Sequence, residues 1–347
     1  MNQSRRWPSR PSWGRCLPSI LLPPLLAILL LPSAALGQRA AASDGGVALL
    51  DGVVIAPQQG IAYVMRPGGG IDAVNLASGA VRWRSKSAAK PLALAGDRLV
   101  AQADSRGANS LNLVVLDPRN GAARDSVRIP LPEGVVATVV DTPAASFRVR
   151  ADAAASKVVV SWEATKSAGP LQGYLPAENE GPESASKALA PSVFSGGAVV
   201  DLAAASPTVK AMPEGADSGA RARAALAELE TPLVASVEGR QWLSADERHV
   251  LVSEQVHGTG FTLNQHRWTV YERESGARLG SVLAMVSAMP FVVVGSTLYH
   301  VAPAHGLVQK GRFVQQPAAL RAVNLKTGRE SWKSSVRETD FRGPFPP

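Results

Sequence analysis

Sulfur chemistry is almost absent from this chain. Its single cysteine, Cys16, lies ahead of an apolar stretch near the N-terminus. The rest therefore has no disulfide framework, thiolate zinc site, haem-attachment motif or vicinal cysteine pair. Aromatic residues are sparse, at 5%. The leading apolar run, 20–31, is interrupted by Pro23-Pro24 and falls short of the roughly 20 residues that span a bilayer as a helix. No Gly-x-Ser-x-Gly elbow is present, and no His/Cys/carboxylate set has the spacing of a metal site. A concentrated positive charge is missing too. The formal net charge of +8 includes Arg5, Arg6, Arg10 and Arg15; without them it falls to about +4. That undercuts a nucleic-acid reading, which calls for a clustered stripe of Lys and Arg.

Those four arginines have a different role. A basic start, an apolar core and Ala35-Leu36-Gly37 make residues 1–37 read as a signal peptide. The mature protein is then exported, periplasmic or extracellular, with no stable transmembrane span after cleavage. Cys16 precedes the apolar core, so it is not the lipidated first residue of a mature lipoprotein. Residues 38–46, rich in Ala, Ser and Gly, read as a flexible lead-in.

What is present is a repeat. Residues 71–83 read IDAVNLASGAVRW, and residues 320–332 read LRAVNLKTGRESW. Each is an apolar strand, a Ser/Thr-Gly corner and a returning strand carrying a tryptophan four residues after the glycine. The pairs are Gly79 with Trp83 and Gly328 with Trp332. Weaker copies place Gly121 and Gly276 at the same corner, and a degenerate one occupies 198–209. Strand-like runs recur in groups of about four, every 40–50 residues, which is the pattern of propeller blades. The expected fold class is all-β, a β-propeller of four-stranded antiparallel blades over 47–340. Five blades are visible, and the long stretch 132–235 leaves room for six or seven. Two insertions are expected there: a surface loop over 165–191, rich in Pro, Gly, Ser and Glu, and a short helix within 213–231. Residues 341–347 form a Pro-rich tail.

The motif Ala-x-Asn-x-x-Ser/Thr-Gly-x-x-x-Trp, at Ala73–Trp83 and Ala322–Trp332, resembles the repeat of the pyrroloquinoline-quinone-like β-propellers, with Asn75 and Asn324 where that family usually has Asp. The family includes quinone-dependent dehydrogenases and a periplasmic scaffold that assists outer-membrane barrel assembly. The resemblance implies the fold. It also raises quinone-dependent oxidation as an alternative function, but the mature chain lacks the adjacent cysteines of the large quinone-dependent alcohol dehydrogenases, so no cofactor is expected.

With blade strands named a to d outward from the axis, length accumulates in the b–c loops, at 165–191, 256–265 and 303–317. Insertions on one face of a repeat array mark the face that binds. The candidate binding residues follow from it: Lys310, Arg312 and Phe313, which mix cations with an aromatic, and His257 and His266, which bracket the second loop. Trp83 and Trp332 share one place in the repeat and are expected to pack between blades rather than to stack on a cofactor. Gly68-Gly69-Gly70 is expected to be a hairpin loop, His300 and His305 ordinary histidines, and Asp246-Glu247 a solvated corner. The expected function is a non-catalytic scaffold that binds a protein or cell-envelope component. A hydrolase or lyase with a site in the central funnel is the remaining alternative.

Overall fold

The computed structural model describes residues 46–103, 109–133, 135, 145–166, 192–204, 206–212, 240–256, 265–309 and 312–337. Blade 1 consists of β1 (Val47–Leu50), β2 (Val53–Ala56), β3 (Ile61–Met65), β4 (Ile71–Asn75) and β5 (Val81–Ser85). Blade 2 is β6 (Lys90–Ala95), β7 (Arg98–Gln102), β8 (Ser110–Leu116) and β9 (Ala123–Pro130). Blade 3 is β10 (Ala145–Ala154), β11 (Lys157–Lys166), β12 (Ser192–Asp201) and β13 (Thr208–Ala211). Blade 4 is β14 (Arg240–Leu243), β15 (His249–Val256), β16 (Gln265–Glu272) and β17 (Arg278–Ala284). Blade 5 is β18 (Phe291–Val294), β19 (Thr297–Ala302), β22 (Ala319–Asn324) and β23 (Glu330–Ser335), with a separate hairpin, β20 (His305–Gln309) and β21 (Arg312–Gln316), between its second and third strands. All pairings are antiparallel between neighbours in sequence, that hairpin apart, and β1 adds an inner fifth strand to blade 1. The protein is an all-β propeller.

The blades cohere through the faces of their sheets. β2, β3 and β4 are buried on both faces, with Val53, Ile55 and Val64 turned to blade 5 and Val54, Tyr63 and Ala73 to blade 2. Leu111, Leu113 and Ile129 of blade 2 meet Phe147, Val160 and Trp162 of blade 3. Trp268 and Val282 of blade 4 meet Phe291 and Leu298 of blade 5. Near-continuous apolar strands are what two buried faces require. Among the described residues, no core cluster joins blade 3 to blade 4.

The repeated corner has a single construction. Asn75 Oδ1 accepts the N–H groups of Ala77 and Ser78, and Asn324 Oδ1 those of Lys326 and Thr327. Asp117 Oδ1 accepts from Arg119 N in the same way. The glycine that closes the turn stands at φ 72° in Gly79 and 73° in Gly121, where a side chain is strained. Just past each corner the outer strand bulges, two residues opposing one, in blades 1, 2, 4 and 5. The bulge turns the next side chain towards the neighbouring blade. In blades 1 and 5 that side chain is Trp83 or Trp332.

Each tryptophan lands on the next blade's corner. Trp83 Nε1 donates to Pro118 O at 2.9 Å, and Trp332 Nε1 to Leu76 O at 2.8 Å. The Tyr299 hydroxyl also donates to Leu76 O, at 2.9 Å, whereas the Tyr63 hydroxyl donates to Gln59 Oε1 at 2.9 Å and lies 3.4 Å from Pro118 O. A Cβ on Gly79 would come within 2.6 Å of Trp332, so this glycine also makes room for the ring. In blade 4 the tryptophan position is Gly280, packed against Leu325 O of blade 5's corner. In place of a ring, Arg98 of blade 2 donates to Leu202 O of blade 3.

Several sequence readings change. β11 continues through Lys166, so 165–191 does not begin as a loop at Thr165. The stretch 303–317 contains the paired strands β20 and β21 rather than loop alone, with Leu307 opposite Val314 and Val308 opposite Phe313. The signal peptide, 38–45 of the lead-in, the expected helix in 213–231 and the tail from 341 lie outside the described residues.

Candidate functional site

Strand order decides which end of each blade carries which connection. The a–b turns are short, at 57–60, 96–97, 155–156, 244–248 and 295–296. The c–d corners are also short, at 76–80, 117–122, 202–207, 273–277 and 325–329. At the other end emerge the b–c connections 66–70, 103–109, 167–191, 257–264 and 303–318, together with the blade-to-blade segments. All the long connections thus leave from one end of the sheets.

Of the residues singled out from sequence, Arg312 and Phe313 stand together at the start of β21 on this face. Arg312 is exposed, and Phe313 is 74% exposed with its ring lying over Gly306. His266, second in β16, is half-buried, with Nδ1 3.4 Å from Ser253 Oγ. No hydrogen bond or ring contact links it to Arg312 or Phe313 among the described residues. His257 and Lys310 lie outside the described residues. Gly68-Gly69-Gly70 closes the β3–β4 hairpin, with Arg66 N donating to Gly70 O.

His300 and His305 do not act together. His305 is exposed and touches Pro303 O, whereas His300 is 6% exposed, set edge-on to Trp268 at 5.2 Å. Burial, aided by Arg321, pushes His300 down to about 3, so its ring is neutral. The Asp246-Glu247 corner is not simply solvated. Asp246 is tucked in, accepting Ser244 Oγ at 2.6 Å with His249 Nδ1 3.7 Å away. Burial opposes its charge, but the His249 and Ser244 contacts win and hold the carboxyl below its usual value. Among the described residues, no three His, Cys, Asp or Glu side chains are placed to hold a metal ion, and no helix is long and apolar enough to cross a membrane.

A cluster that sequence reasoning passed over lies on the inner strands at the same end. Lys90 opens β6 and is 5% exposed. Its Nζ donates to Val149 O in β10 at 3.0 Å and lies 3.5 Å from Asp51 Oδ1, in the β1–β2 turn. Burial lowers the Lys90 pKa, Asp51 opposes the shift, and Arg150 and Arg148 add to it. Val149 is flanked by Arg148, which is exposed, and Arg150, whose buried Nε has no hydrogen-bond partner among the described residues. Their odd-numbered neighbours Phe147 and Val149 pack on blade 2, so the alternation of the strand turns both guanidinium groups to the opposite face. The sequence signal was Phe147-Arg148-Val149-Arg150, where apolar and cationic residues alternate.

No family model matches the chain, and no curated protein matches it by sequence. Solved structures to which it is similar include BamB from Moraxella catarrhalis, at 13% identity over 82% of this chain and with a TM-score of 0.26. The chain spans 63% of that protein's length. It is also similar to the Cps50 (Swd1) β-propeller domain of Myceliophteria thermophila, at 11% identity over 83% of this chain and 97% of that one, TM-score 0.31. A third is the quinohemoprotein alcohol dehydrogenase ADHIIG of Pseudomonas putida HK5, at 9% identity over 84% of this chain and 59% of that one, TM-score 0.23.

Proposed function

We propose that the protein is an exported, non-catalytic propeller that holds a protein or cell-envelope partner on the face where the b–c connections emerge. One observation carries this reading: the a–b and c–d ends of the blades are closed by tight turns, while the long connections share the opposite end. The exposed Phe313 and the inner-rim cations stand at that same end, and aromatics and arginine are the residues that anchor interfaces.

Quinone-dependent oxidation fits the described residues poorly. The only cysteine is Cys16 in the leader, no described carboxylate cluster suits a metal ion, and the Trp83 and Trp332 indoles are engaged between blades.

The test is affinity capture from an envelope extract with the full mature chain and with two deletions, 167–191 and 303–317, each closed by a short Gly-Ser linker. The expected result is a set of specifically bound partners lost with one or both deletions while thermal unfolding is unchanged. Capture of the same partners by both deleted chains overturns the reading, as does their loss on altering the opposite corners.

A further inference from the structure

The reading above leaves the chemistry of the partner open. We propose that the inner rim of this face receives an extended, acidic segment of the partner, with carboxylates at alternate positions seated on Arg148 and Arg150. This rests on the b–c face being the binding face.

The spacing is the first argument. Arg148 and Arg150 are two apart on one strand, so they leave the same face about 7 Å apart. Residues i and i+2 of an extended peptide repeat that distance, so a Glu-x-Glu stretch places one carboxylate on each guanidinium group. Adjacent glutamates would point to opposite sides. Arginine presents a planar fork that accepts a carboxylate through two parallel N–H groups.

The charge of the surroundings limits the choice of anion. Lys90 Nζ sits against Val149 O, between the two arginines, and already holds the chain's own carboxylate, Asp51. Asp152, next but one after Arg150, ends the cationic run after two residues, so the fitting ligand has two acids rather than a long polyanion. Glu163 lies across from Arg148 in the β10–β11 ladder, but its carboxylate accepts from Thr165 Oγ1 at 3.4 Å. Among the described residues, Arg150 Nε is a buried donor without an acceptor, an unmade hydrogen bond that a carboxylate seated on this guanidinium group can supply.

The experiment measures fluorescence anisotropy of labelled acetyl-Ser-Glu-Ser-Glu-Ser-amide on the mature chain at low salt. An isomer with adjacent glutamates and inorganic phosphate serve as comparisons. The expected result is preferential binding of the alternating peptide, weakened about tenfold or more in the Arg148→Gln/Arg150→Gln variant and tightened in Glu163→Gln. Equal binding of both isomers, or equal binding by wild type and double variant, overturns the proposal. Displacement by phosphate at the peptide's own concentration also overturns it and identifies a phosphate site. Circular dichroism and unfolding of each variant exclude loss of fold. If no peptide binds while capture still depends on the b–c insertions, only this inference fails. If the alternating peptide binds but capture ignores the insertions, the scaffold reading fails instead.

Discussion

His300 makes the protein acid-sensitive in a window that can be calculated. The ring is 6% exposed, packs edge-on to Trp268, and has Nδ1 without a partner, with Arg321 opposite it in the ladder. Its pKa drops from 6.5 to about 3 on folding. The native imidazole therefore stays neutral over a range in which the unfolded one binds a proton. Because the unfolded state binds more protons there, stability rises with pH between about 3 and 6.5 and falls as the solution is acidified. Each pH unit below 6.5 costs about 1.4 kcal/mol, so at about pH 4.5 the loss is about 3 kcal/mol. That is a large share of the 5–15 kcal/mol typical of a folded domain.

The assay is urea unfolding at pH 7 and pH 4.5 for wild type, His300→Phe and His300→Leu. Removing the imidazole also removes the orphaned Nδ1, so the variants are expected to match or exceed wild type at pH 7. At pH 4.5 they should exceed it by about 3 kcal/mol more than at pH 7. Parallel pH profiles for all three proteins would refute the reasoning, because His300 would then be no source of the slope.

The seams give further predictions, each read from thermal or urea unfolding. Trp332→Phe keeps an aromatic ring but deletes both the donor to Leu76 O and part of the packed indole, and should cost more than about 1 kcal/mol, with Trp83→Phe equivalent at Pro118 O. Gly121→Ala puts a Cβ 2.5 Å from the Trp83 ring at φ 73° and should cost more than 1 kcal/mol; an unchanged midpoint would show that this corner is not close-packed. At Asp117 the hydrogen bonds from Arg119 and Arg124 hold the carboxyl well below its usual range. Its contribution is complete above the ordinary carboxylate pKa and is lost as pH falls through the lowered one. Asp117→Asn should therefore weaken blade 2 at neutral pH and lessen the extra acid sensitivity of wild type below about pH 4.

The parts of the fold legible in the sequence were those where local chemistry and long-range packing agree. Gly79 and Gly328 are required by their own turn, and Trp83 and Trp332 by a neighbour's corner, so both leave a fixed spacing. β13 was harder to read because its four residues are all exposed and follow Pro207, leaving no apolar alternation. The β20–β21 hairpin passed for a loop because its strands pair with each other rather than with the blade, beyond the reach of the four-strand rhythm. Asp246 looked like a surface acid because Ser244 and His249 converge on it only after the turn closes. The Arg148 and Arg150 pair was hidden by its place on an inner strand. Which side of a strand looks out depends on the blades beside it, and those contacts come from residues far away in the chain.

The same arrangement bears on how such a molecule can change size. Among the described residues, no ladder of backbone bonds runs from one blade into the next, and the seam between the fifth and the first is held by side-chain packing, side-chain anchors and the bond from Arg337 N to Met65 O. Duplicating or losing a whole blade would leave every remaining ladder intact. Only the wedge angle at the seams would have to adjust, so growth or shrinkage by complete units is mechanically cheap, whereas a cut within a blade is not.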